Sequence, residues 1–397
     1  MNEFRLGDQD RKGLTNFLRD LVRTPSPLTQ EGAVAERIVA EMKTLGFRDV
    51  RIDRVGNAIG WIGPGRGPLL MFNAHMDTVQ VSDPEPWNHD PFGAEVEDGV
   101  LYGLGACDMK GGLAAMVYGA KLLRDAGVAL KGDVVVACVV QEERCEGLGS
   151  RILIEEEGIR PDWVVLGEPT NLNVNRGQRG RLEMRVTTHG RSAHAASPNL
   201  GENAIYTASR LVFGLELLAE QLADDNFLGP GTLAVTSIAS SAGSRNAVPD
   251  RCELIIDRRL TLGENEAKAL AEVQRVIARE GVEADVEVTE YHTTSYTGYI
   301  CRAREFYPAW VMTEDHPLIV TAVRAAQTQL KRRPQVGCWG FSTEGVYTAG
   351  TAGIPTVGFG PGEERHAHTP NEHIRLADVH AAAEVYAQLA AELLGKR

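Results

Sequence analysis

The chain has 397 residues, a length that exceeds one small core and fits two compact domains. Hydrophobic residues make up 43% of the chain and charged residues 24%, a composition that excludes disordered and fibrous proteins. The formal net charge of -13 disfavours a nucleic-acid partner, because phosphate backbones would be repelled and no run rich in lysine and arginine offsets the average.

The opening residues and the six cysteines predict a protein that stays in the cytoplasm. The start, MNEFRLGDQDRKGL, lacks the basic segment followed by an apolar run that a secretion signal requires. No stretch reaches the roughly 18 apolar residues of a membrane span. The cysteines are scattered without a C-x-x-C pair, so we expect buried, reduced thiols rather than a disulfide framework. We therefore expect a cytoplasmic protein with no membrane partner.

In chain order, the first half alternates apolar runs of strand length with segments of helical period. These runs are LLMFNA, GGLAAMVYGAKLLRDAG, DVVVACVV and WVVLG. Their alternation predicts strands joined by crossover helices, and the continuous apolar run at residues 134–140 is typical of a central strand covered on both faces. We therefore predict an α/β unit with a mixed, largely parallel sheet flanked by helices.

From about residue 182 the pattern changes to strand, helix, strand, strand, helix, strand. The helices are expected over residues 201–222 and 264–279. This order predicts an inserted α+β sandwich of the ferredoxin-like type. The α/β pattern then resumes, with helices expected at 317–330 and 377–394. We expect a larger domain formed by residues 1–181 and 298–397 and an inserted domain of residues 182–297.

Residues able to bind metal follow several predicted strands at the point where each strand ends. They are His75 and Asp77 after LLMFNA, Asp108 before a helix in GLGACDMKGG, Glu142 and Glu143 after VVVACVVQ, and Glu168 after WVVLG. Alternation along a strand points His75 and Asp77 to the same side, and ligand sites in open α/β sheets collect at the carboxyl ends of strands. We expect these side chains to share one cleft.

Several carboxylates converging on one cleft would repel one another and take up protons unless cations were present. Divalent ions accept carboxylate oxygen and imidazole nitrogen, and two ions about 3.5 to 4 Å apart can share a bridging carboxylate and a bridging water. The sequence therefore predicts two divalent metal ions, with zinc expected first and cobalt or manganese as alternatives. Each acid taken singly also fits a helix cap or a solvated loop charge, an interpretation that their joint recurrence disfavours.

The order of these residues resembles that of a known metallopeptidase family. The motifs are HMDTV, W-x-x-D-P-F-G at residues 87–93, G-x-x-D-M-K-G-G, QEE, GEPT, RGQRG, G-R-S-A-H, N-A-V-P, D-R-R and A-H-T-P-N-E. Over nearly its full length the chain resembles the family of acetylornithine deacetylases, succinyl-diaminopimelate desuccinylases and carboxypeptidase G, whose catalytic domain is zinc-peptidase-like. Stretches such as QEERCEGL and GFGPGEERHAHTPNE are similar to a bacterial subgroup of hydrolases linked to selenium metabolism.

The resemblance implies which residues hold each ion. One ion would be bound by His75 and Glu168, the other by Glu143 and His368, with Asp108 bridging the two. The segment GEERHAHTPNEH also contains His366 and His373. The family places its ligand before x-P-N-E, which selects His368, and an exchange of roles with His366 stays open.

The resemblance also implies roles for residues that bind no metal. Glu142 would take a proton from the metal-bridging water and return it to the leaving amine, and Asp77 would hydrogen-bond the far nitrogen of His75. His194 would reach across a homodimer, formed through the inserted lid domain, to hydrogen-bond the oxyanion of the scissile carbonyl. Without the resemblance, His194 is an exposed loop histidine.

Four further residues are candidates for substrate contacts. The resemblance implies that Arg179, Asn246 and Arg259 hold a substrate carboxylate, for which the arginine fork is well shaped, and ordinary surface charge is their alternative. Ser342 in GFSTEG offers a hydroxyl to the polar end of the substrate. No acyl-enzyme serine is expected, because no G-x-S-x-G elbow occurs.

The resemblance implies metal-dependent hydrolysis of the amide bond of an N-acyl amino acid, by a deacetylase or desuccinylase of amino-acid metabolism. Glu168, rather than Asp, favours those branches. The alternative is a dipeptidase or carboxypeptidase acting on small peptides, and a non-catalytic binding protein on the same fold is a second class. The resemblance also implies a cis peptide bond between Asp108 and Met109. The motifs do not specify the acyl group.

Overall fold

The computed structural model describes residues 3–81 and 85–396. The helices are α1 (Asp8–Arg23), α2 (Gly32–Thr44), α3 (Gly111–Asp125), α4 (Leu148–Glu155), α5 (Ala204–Ala219), α6 (Glu266–Arg279), α7 (Pro317–Leu330), α8 (Gly345–Thr348) and α9 (Leu376–Leu394). Within these residues, no helix is both long enough and apolar enough to cross a membrane.

The strands form one large sheet, a second sheet and three smaller ones among the described residues. They are β1 (Arg48–Ile52), β2 (Ala58–Ile62), β3 (Leu69–His75), β4 (Glu95–Glu97), β5 (Val100–Tyr102), β6 (Asp133–Val139), β7 (Trp163–Leu166), β8 (Val174–Gln178), β9 (Gly180–His189), β10 (Asp224–Asp225), β11 (Gly229–Pro230), β12 (Thr232–Ser241), β13 (Arg251–Leu260), β14 (Ala284–Val288), β15 (Glu290–Thr294), β16 (Ile300–Arg304), β17 (Phe306–Tyr307), β18 (Trp310–Val311), β19 (Val336–Trp339), β20 (Thr356–Gly358) and β21 (His373–Arg375).

The large sheet has the order β1-β2-β6-β3-β7-β20-β8-β18, with β19 paired to β8. Its central strands β6, β3, β7 and β20 run parallel, and antiparallel strands flank them. Both β3 and β6 are buried along their whole length. On β3, Phe72 packs in the hydrophobic core on one face of the sheet and Met71 in the core on the opposite face. The expected mixed sheet flanked by helices is confirmed.

Helix α3 lies against β3, β6 and α9, and small residues allow its close approach. A Cβ atom on Gly119 would lie 2.8 Å from the carbonyl oxygen of Ala383 in α9. A Cβ atom on Gly112 would lie 2.1 Å from the carbonyl oxygen of Gly167, directly after β7. The absence of a side chain at Gly112 therefore allows the start of α3, which follows Asp108, to pack against the segment that carries Glu168.

The second sheet has the order β12-β13-β9-β14, with the short β17 also paired to β9, all antiparallel, and α5 and α6 pack on it. Numbered along the chain, this is the order two, three, one, four of a ferredoxin-like split βαβ arrangement. Its hydrophobic core draws on residues between Leu182 and Val288. The expected inserted α+β sandwich is confirmed.

The hairpin of β15 and β16 connects the second sheet back to the large one. Residue 297, the boundary expected from the sequence, lies in the turn of this hairpin. Tyr291 of β15 and Cys301 of β16 are both buried in the core beneath the large sheet. We propose that the larger unit resumes with this hairpin, because both of its strands pack on that core, and that β17 then returns briefly to pair with β9 of the second sheet.

Replacing Gly112 by alanine should destabilise the protein. The added methyl group would meet the carbonyl oxygen of Gly167 at 2.1 Å, so the backbone must move, at a cost of about 1–3 kcal/mol. Chemical denaturation of the purified variant measures this loss. Gly243→Ala is the control, because a Cβ atom there meets nothing within 4 Å. Equal unfolding free energies for Gly112→Ala and the control would contradict the expectation.

Candidate metal centre

The predicted ligands meet at the carboxyl ends of the central parallel strands. His75 is the last residue of β3, Glu142 and Glu143 follow β6, and Glu168 follows β7. The strands β6, β3 and β7 are adjacent, so their ends open onto the same edge of the sheet. Asp108 reaches this edge from the turn that precedes α3.

His75 lies at the centre of one group of carboxylates. Its Nε2 atom is 3.0 Å from Oδ1 of Asp108, 3.8 Å from Oε1 of Glu168 and 3.9 Å from Oε2 of Glu142. The His75 side chain is buried. One imidazole nitrogen thus lies close to three carboxylates, as the ligands of a metal ion do.

His368 lies at the other end of the cluster. Its Nε2 atom is 3.0 Å from Oε2 of Glu143 and 3.4 Å from Oδ2 of Asp108. Asp108 therefore faces His75 with one oxygen and His368 with the other. This is the arrangement that a carboxylate bridging two ions requires.

The donor set fits two divalent ions. Ligand atoms of His75, Asp108 and Glu143 lie within 4.8 Å of one another, as do those of His75, Glu142 and Glu168. Imidazole nitrogen and carboxylate oxygen suit zinc and related ions. The ligands predicted from the sequence are His75, Asp108, Glu143, Glu168 and His368. Distances alone do not separate Glu142 from the ligands, since it stands in the second group.

The electrostatics of the cluster also fit cations. Burial raises the pKa of Glu142 and of Glu168; repulsion from Glu168 adds to the first, and repulsion from Asp108 and Glu143 adds to the second. Burial alone would lower the pKa of His75, but the charges of Glu168, Asp108 and Glu142 outweigh it and raise that pKa. The hydrogen bond to Glu143 raises the pKa of His368 to about 9. Without cations the cluster retains protons, which bound divalent ions would displace.

Asp77 contacts His75 differently from the expectation. The Nδ1 atom of His75 lies 2.9 Å from the main-chain oxygen of Asp77 and 3.8 Å from its carboxylate. The carboxylate instead accepts hydrogen bonds of 3.1 Å from the main-chain N–H groups of Glu142 and Glu143. Asp77 therefore hydrogen-bonds the far nitrogen of His75 as expected, but through its main-chain oxygen, because its carboxylate is engaged by the loop after β6.

Glu372 supports the loop of Asp108, and the sequence assigned it no role. Its Oε1 atom accepts hydrogen bonds of 2.8 Å and 2.9 Å from the main-chain N–H groups of Cys107 and Asp108. The peptide bond between Asp108 and Met109 is cis, as predicted. The signal for Glu372 was present in the motif A-H-T-P-N-E, which ends on this residue.

His366, the rival of His368, faces away from the carboxylates of the cluster. Its ring packs on the ring of His373 at 4.1 Å between centroids. Burial and the nearby His373 lower the pKa of His366. The structure thus brings His368 to Glu143 and Asp108 and brings His366 to His373.

A cleft of about 370 Å³ opens beside the cluster. Its walls include two of the four predicted substrate contacts, Ser342 and Arg259, together with residues that the sequence did not single out. The latter are Glu146, Arg181, Phe341, Glu364 and Ala367. Glu146 stands in the segment QEERCEG, four residues after Glu142. The sequence did not single it out, because its neighbours in space come from distant segments of the chain.

The other two predicted substrate contacts, Arg179 and Asn246, and the predicted oxyanion donor His194 lie outside the cleft walls. The guanidinium of Arg179 donates to the main-chain oxygens of Gly340 and Pro230. His194 and Asn246 are exposed on the second sheet's loops, where the main-chain N–H of Ala195 donates to the oxygen of Asn246. Within this single chain these three side chains are not brought to the metal cluster.

Comparison with known proteins agrees with the fold and identifies the family. The family model of peptidase family M20/M25/M40 matches residues 71–392. The chain belongs to this family. The resemblance inferred from the motifs is confirmed at this level, and the protein is an M20-family hydrolase with a set of potential metal ligands.

Individual M20-family relatives span nearly the whole chain. YgeY of Escherichia coli (strain K12) is 40% identical over 376 residues, covering 95% of this chain and 93% of that protein. Succinyl-diaminopimelate desuccinylase 2 of Ruegeria sp. (strain TM1040) is 29% identical, covering 95% of this chain and 94% of the relative. The M20 family metallo-carboxypeptidase Sso-CP2 from Sulfolobus solfataricus has the same fold, with a TM-score of 0.75 at 18% identity, covering 97% of this chain and 99% of the other.

Replacing Glu372 should weaken metal binding although Glu372 is no predicted ligand. In Glu372→Ala the N–H groups of Cys107 and Asp108 lose their acceptor, and loss of such a supporting contact typically costs about 10- to 100-fold in metal affinity. Glu372→Gln keeps an oxygen at the same place and should retain most of the affinity. Competition with a chelator for Zn²⁺ measures both variants. Equal affinity of wild type and Glu372→Ala would contradict the supporting role.

Proposed function

We propose that this M20-family hydrolase cleaves the amide bond of an N-acyl amino acid, using two divalent metal ions and Glu142 as the proton-transferring base. The observation that carries the proposal is the position of Glu142. Its carboxylate is buried at the edge of the ligand cluster, 3.9 Å from Nε2 of His75, and it also lines the open cleft. A group there can contact both a water molecule and the substrate.

The ligand set proposed is His75 and Glu168 for one ion, Glu143 and His368 for the other, and Asp108 between them. We infer zinc first, with cobalt or manganese as alternatives, from the mixture of imidazole and carboxylate donors. When bound, the ions supply positive charge that polarises the scissile carbonyl and lowers the pKa of the attacking water from about 15.7 towards 7.

The protein's own residues manage the proton. Glu142 takes a proton as the water attacks the carbonyl carbon, and delivers it to the nitrogen of the leaving amine. Burial raises the pKa of Glu142, so the carboxyl group can hold the transferred proton between the two steps. Asp77 orients Glu142 and Glu143 through their main-chain N–H groups. We propose that the Asp77 carboxylate acts by positioning this loop, and that the main-chain oxygen of Asp77 fixes the tautomer of His75.

The oxyanion that forms on the carbonyl needs a hydrogen-bond donor, and we propose His194 of a second subunit. His194 and Asn246 are exposed and lie outside the cleft walls of their own chain, which suits delivery to a neighbour. A dimer also accounts for an apolar surface on the inserted sandwich. Tyr206, Phe213 and Leu217 share one face of α5 and are 71%, 67% and 53% exposed, next to the edge strand β12.

Two polar side chains of the cleft wall are candidates for contact with the substrate. We propose that Arg259 and Ser342, both in the cleft wall, contact the polar end of the substrate, and that Arg179 acts on the cleft only through the backbone it supports.

We also propose a cytoplasmic enzyme, because all six cysteines are free.

A substrate panel tests the reaction class. The metal-loaded protein is assayed with N-acetyl, N-succinyl and N-carbamoyl amino acids and with unblocked dipeptides, with added Zn²⁺ or Co²⁺. We expect turnover of at least one blocked series. Activity confined to unblocked dipeptides would instead identify a dipeptidase, which is the second candidate.

The variant Glu142→Gln is the control for this panel. It should lower kcat by about 10²- to 10⁴-fold while metal content stays at the wild-type level, because the amide group cannot accept the proton. Undiminished hydrolysis by this variant would remove the role assigned to Glu142. A wild-type protein that binds these compounds tightly and hydrolyses none of them would be a binding protein on the same fold.

Mixing two inactive variants tests the contribution of His194 from the partner. His194→Ala and Glu142→Gln homodimers are each expected to be nearly inactive, since each active site lacks one group. A mixed dimer would contain one site with both groups, so random exchange of subunits should restore about a quarter of wild-type activity. Steady-state rates before and after denaturation and joint refolding measure this. Absence of restoration, with mixed dimers verified by mass spectrometry, would place His194 outside the partner's site.

A further inference from the structure

Gln141 is the residue at which the chain turns from the end of β6 into the loop of Glu142 and Glu143. It is buried and has a φ of 62°, in the left-handed region that residues other than glycine, asparagine and aspartate adopt at an energetic cost. Its carbonyl oxygen accepts a hydrogen bond of 3.0 Å from the main-chain N–H of Cys145, which closes the turn. The backbone conformation of Gln141 therefore sets the direction in which Glu142 leaves the sheet.

The side chain of Gln141 is held from a distant part of the chain. Its Oε1 atom accepts a hydrogen bond of 3.0 Å from the hydroxyl of Tyr291, and both residues are buried. Burial raises the pKa of Tyr291, so the hydroxyl keeps its proton and acts as the donor. The Nε2 atom of Gln141 is buried and has no hydrogen-bond partner among the residues that the structure describes. Within that part of the chain, the bond from Tyr291 is what fixes the amide group.

Tyr291 lies on the hairpin of β15 and β16, which connects the second sheet back to the large one. Thr289, two residues earlier, is still bonded to the second sheet, since its main-chain N–H donates to the oxygen of Glu183 at 3.1 Å. Further along the hairpin, the hydroxyl of Tyr296 donates to the main-chain oxygen of Gly56 at 2.8 Å. The chain is thus anchored on both sides of Tyr291, so its hydroxyl can serve as a fixed point for the turn after β6.

We propose that Tyr291 is a positioning residue for Glu142, the base of the proposed function on which this inference rests. By holding the amide of Gln141, the hydroxyl keeps the turn in its left-handed conformation and directs the carboxylate of Glu142 to the edge of the ligand cluster, 3.9 Å from Nε2 of His75. Tyr291 is not part of the cleft wall, so it acts on the reaction through Gln141 and not by contact with the substrate.

The alternative is that Asp77 alone fixes this loop. Its carboxylate accepts hydrogen bonds from the main-chain N–H groups of Glu142 and Glu143, and both bonds remain when the hydroxyl of Tyr291 is removed. In that case the bond between Tyr291 and Gln141 would stabilise the folded chain without any bearing on catalysis. The two possibilities differ in whether kcat or only the free energy of unfolding responds to the loss of the hydroxyl.

The kinetics of Tyr291→Phe test the proposal on the metal-loaded protein, with the compound that the substrate panel identifies. The substitution keeps the ring that packs in the core and removes the hydroxyl. We expect kcat to fall by about tenfold because Glu142 is misplaced, and KM and metal content to change by less than about twofold because no cleft-wall residue or metal ligand is replaced. Unchanged kcat, or a fall in kcat matched by an equal loss of metal, overturns the positioning role.

Tyr296→Phe is the matched control on the same hairpin. It also removes a hydroxyl that donates to an oxygen elsewhere in the larger unit, but its acceptor, Gly56, is not part of the turn after β6. We expect a similar loss of stability, with kcat within about twofold of the wild type. If Tyr296→Phe lowered kcat as much as Tyr291→Phe, the effect would belong to the hairpin as a whole and the specific role of Tyr291 would be excluded.

Two substitutions of Gln141 test whether the backbone conformation carries the effect, and they decide the matter if Tyr291→Phe does not fold. Alanine and asparagine are both too short to reach Tyr291, but asparagine tolerates the left-handed conformation better than alanine does. We expect kcat to fall by about tenfold in Gln141→Ala and by less than about threefold in Gln141→Asn. Adding Tyr291→Phe to Gln141→Asn should cause no further loss. Equal losses in the two single variants, or a further loss in the double variant, contradict the proposal.

Hydrogen exchange separates this inference from the proposed function, because it needs no substrate. The main-chain N–H groups of Glu142, Glu143 and Cys145 are all hydrogen-bonded, and their exchange in the Zn²⁺-loaded protein is followed by mass spectrometry. Exchange that is at least about threefold faster in Tyr291→Phe but not in Tyr296→Phe supports the inference even if no N-acyl compound is hydrolysed. Equal exchange in the wild type and Tyr291→Phe overturns it.

Discussion

Repulsion among buried carboxylates is the constraint on which the catalytic edge of the large sheet depends. Asp108, Glu142, Glu143 and Glu168 are brought together by strands that run parallel, and burial raises the cost of each negative charge. The free energy of folding must hold these groups together until cations offset the repulsion. The fully buried strands β3 and β6 and the close contact of α3 with the segment after β7 supply that rigidity.

Two carboxylates that face away from the proposed ions keep the ligands in place. Asp77 holds the loop of Glu142 and Glu143 through main-chain N–H groups, and Glu372 holds the loop of Asp108 in the same way. Because each binds the backbone rather than a ligand side chain, the ligands stay free to turn towards metal. Loss of a supporting contact of this kind typically costs about 10- to 100-fold in metal affinity.

The inserted sandwich contributes charge to the cleft as well as the proposed dimer surface. On β13, alternation buries Arg258 against Glu264 and Glu272 within the sandwich and turns Asp257 and Arg259 to the other face. Arg259 lies opposite Arg181 of β9, and Asp257 separates their like charges. The ion pairs then run from this sheet to Glu146 in the larger unit. One network of ion pairs therefore links the inserted sandwich to the cleft wall.

The sequence by itself determined most of the elements and predicted the residues that would bind metal. Helix α7 has the predicted limits, β6 begins one residue before the predicted run, and acids at strand ends indicated a shared edge, because periodicity and strand direction are local properties. Only the tertiary structure decided which main-chain groups Asp77 and Glu372 bind, how the hairpin after Val288 packs, and that Glu146 meets Ser342 and Arg181. Those contacts join segments far apart in the chain, and no local pattern encodes such pairings.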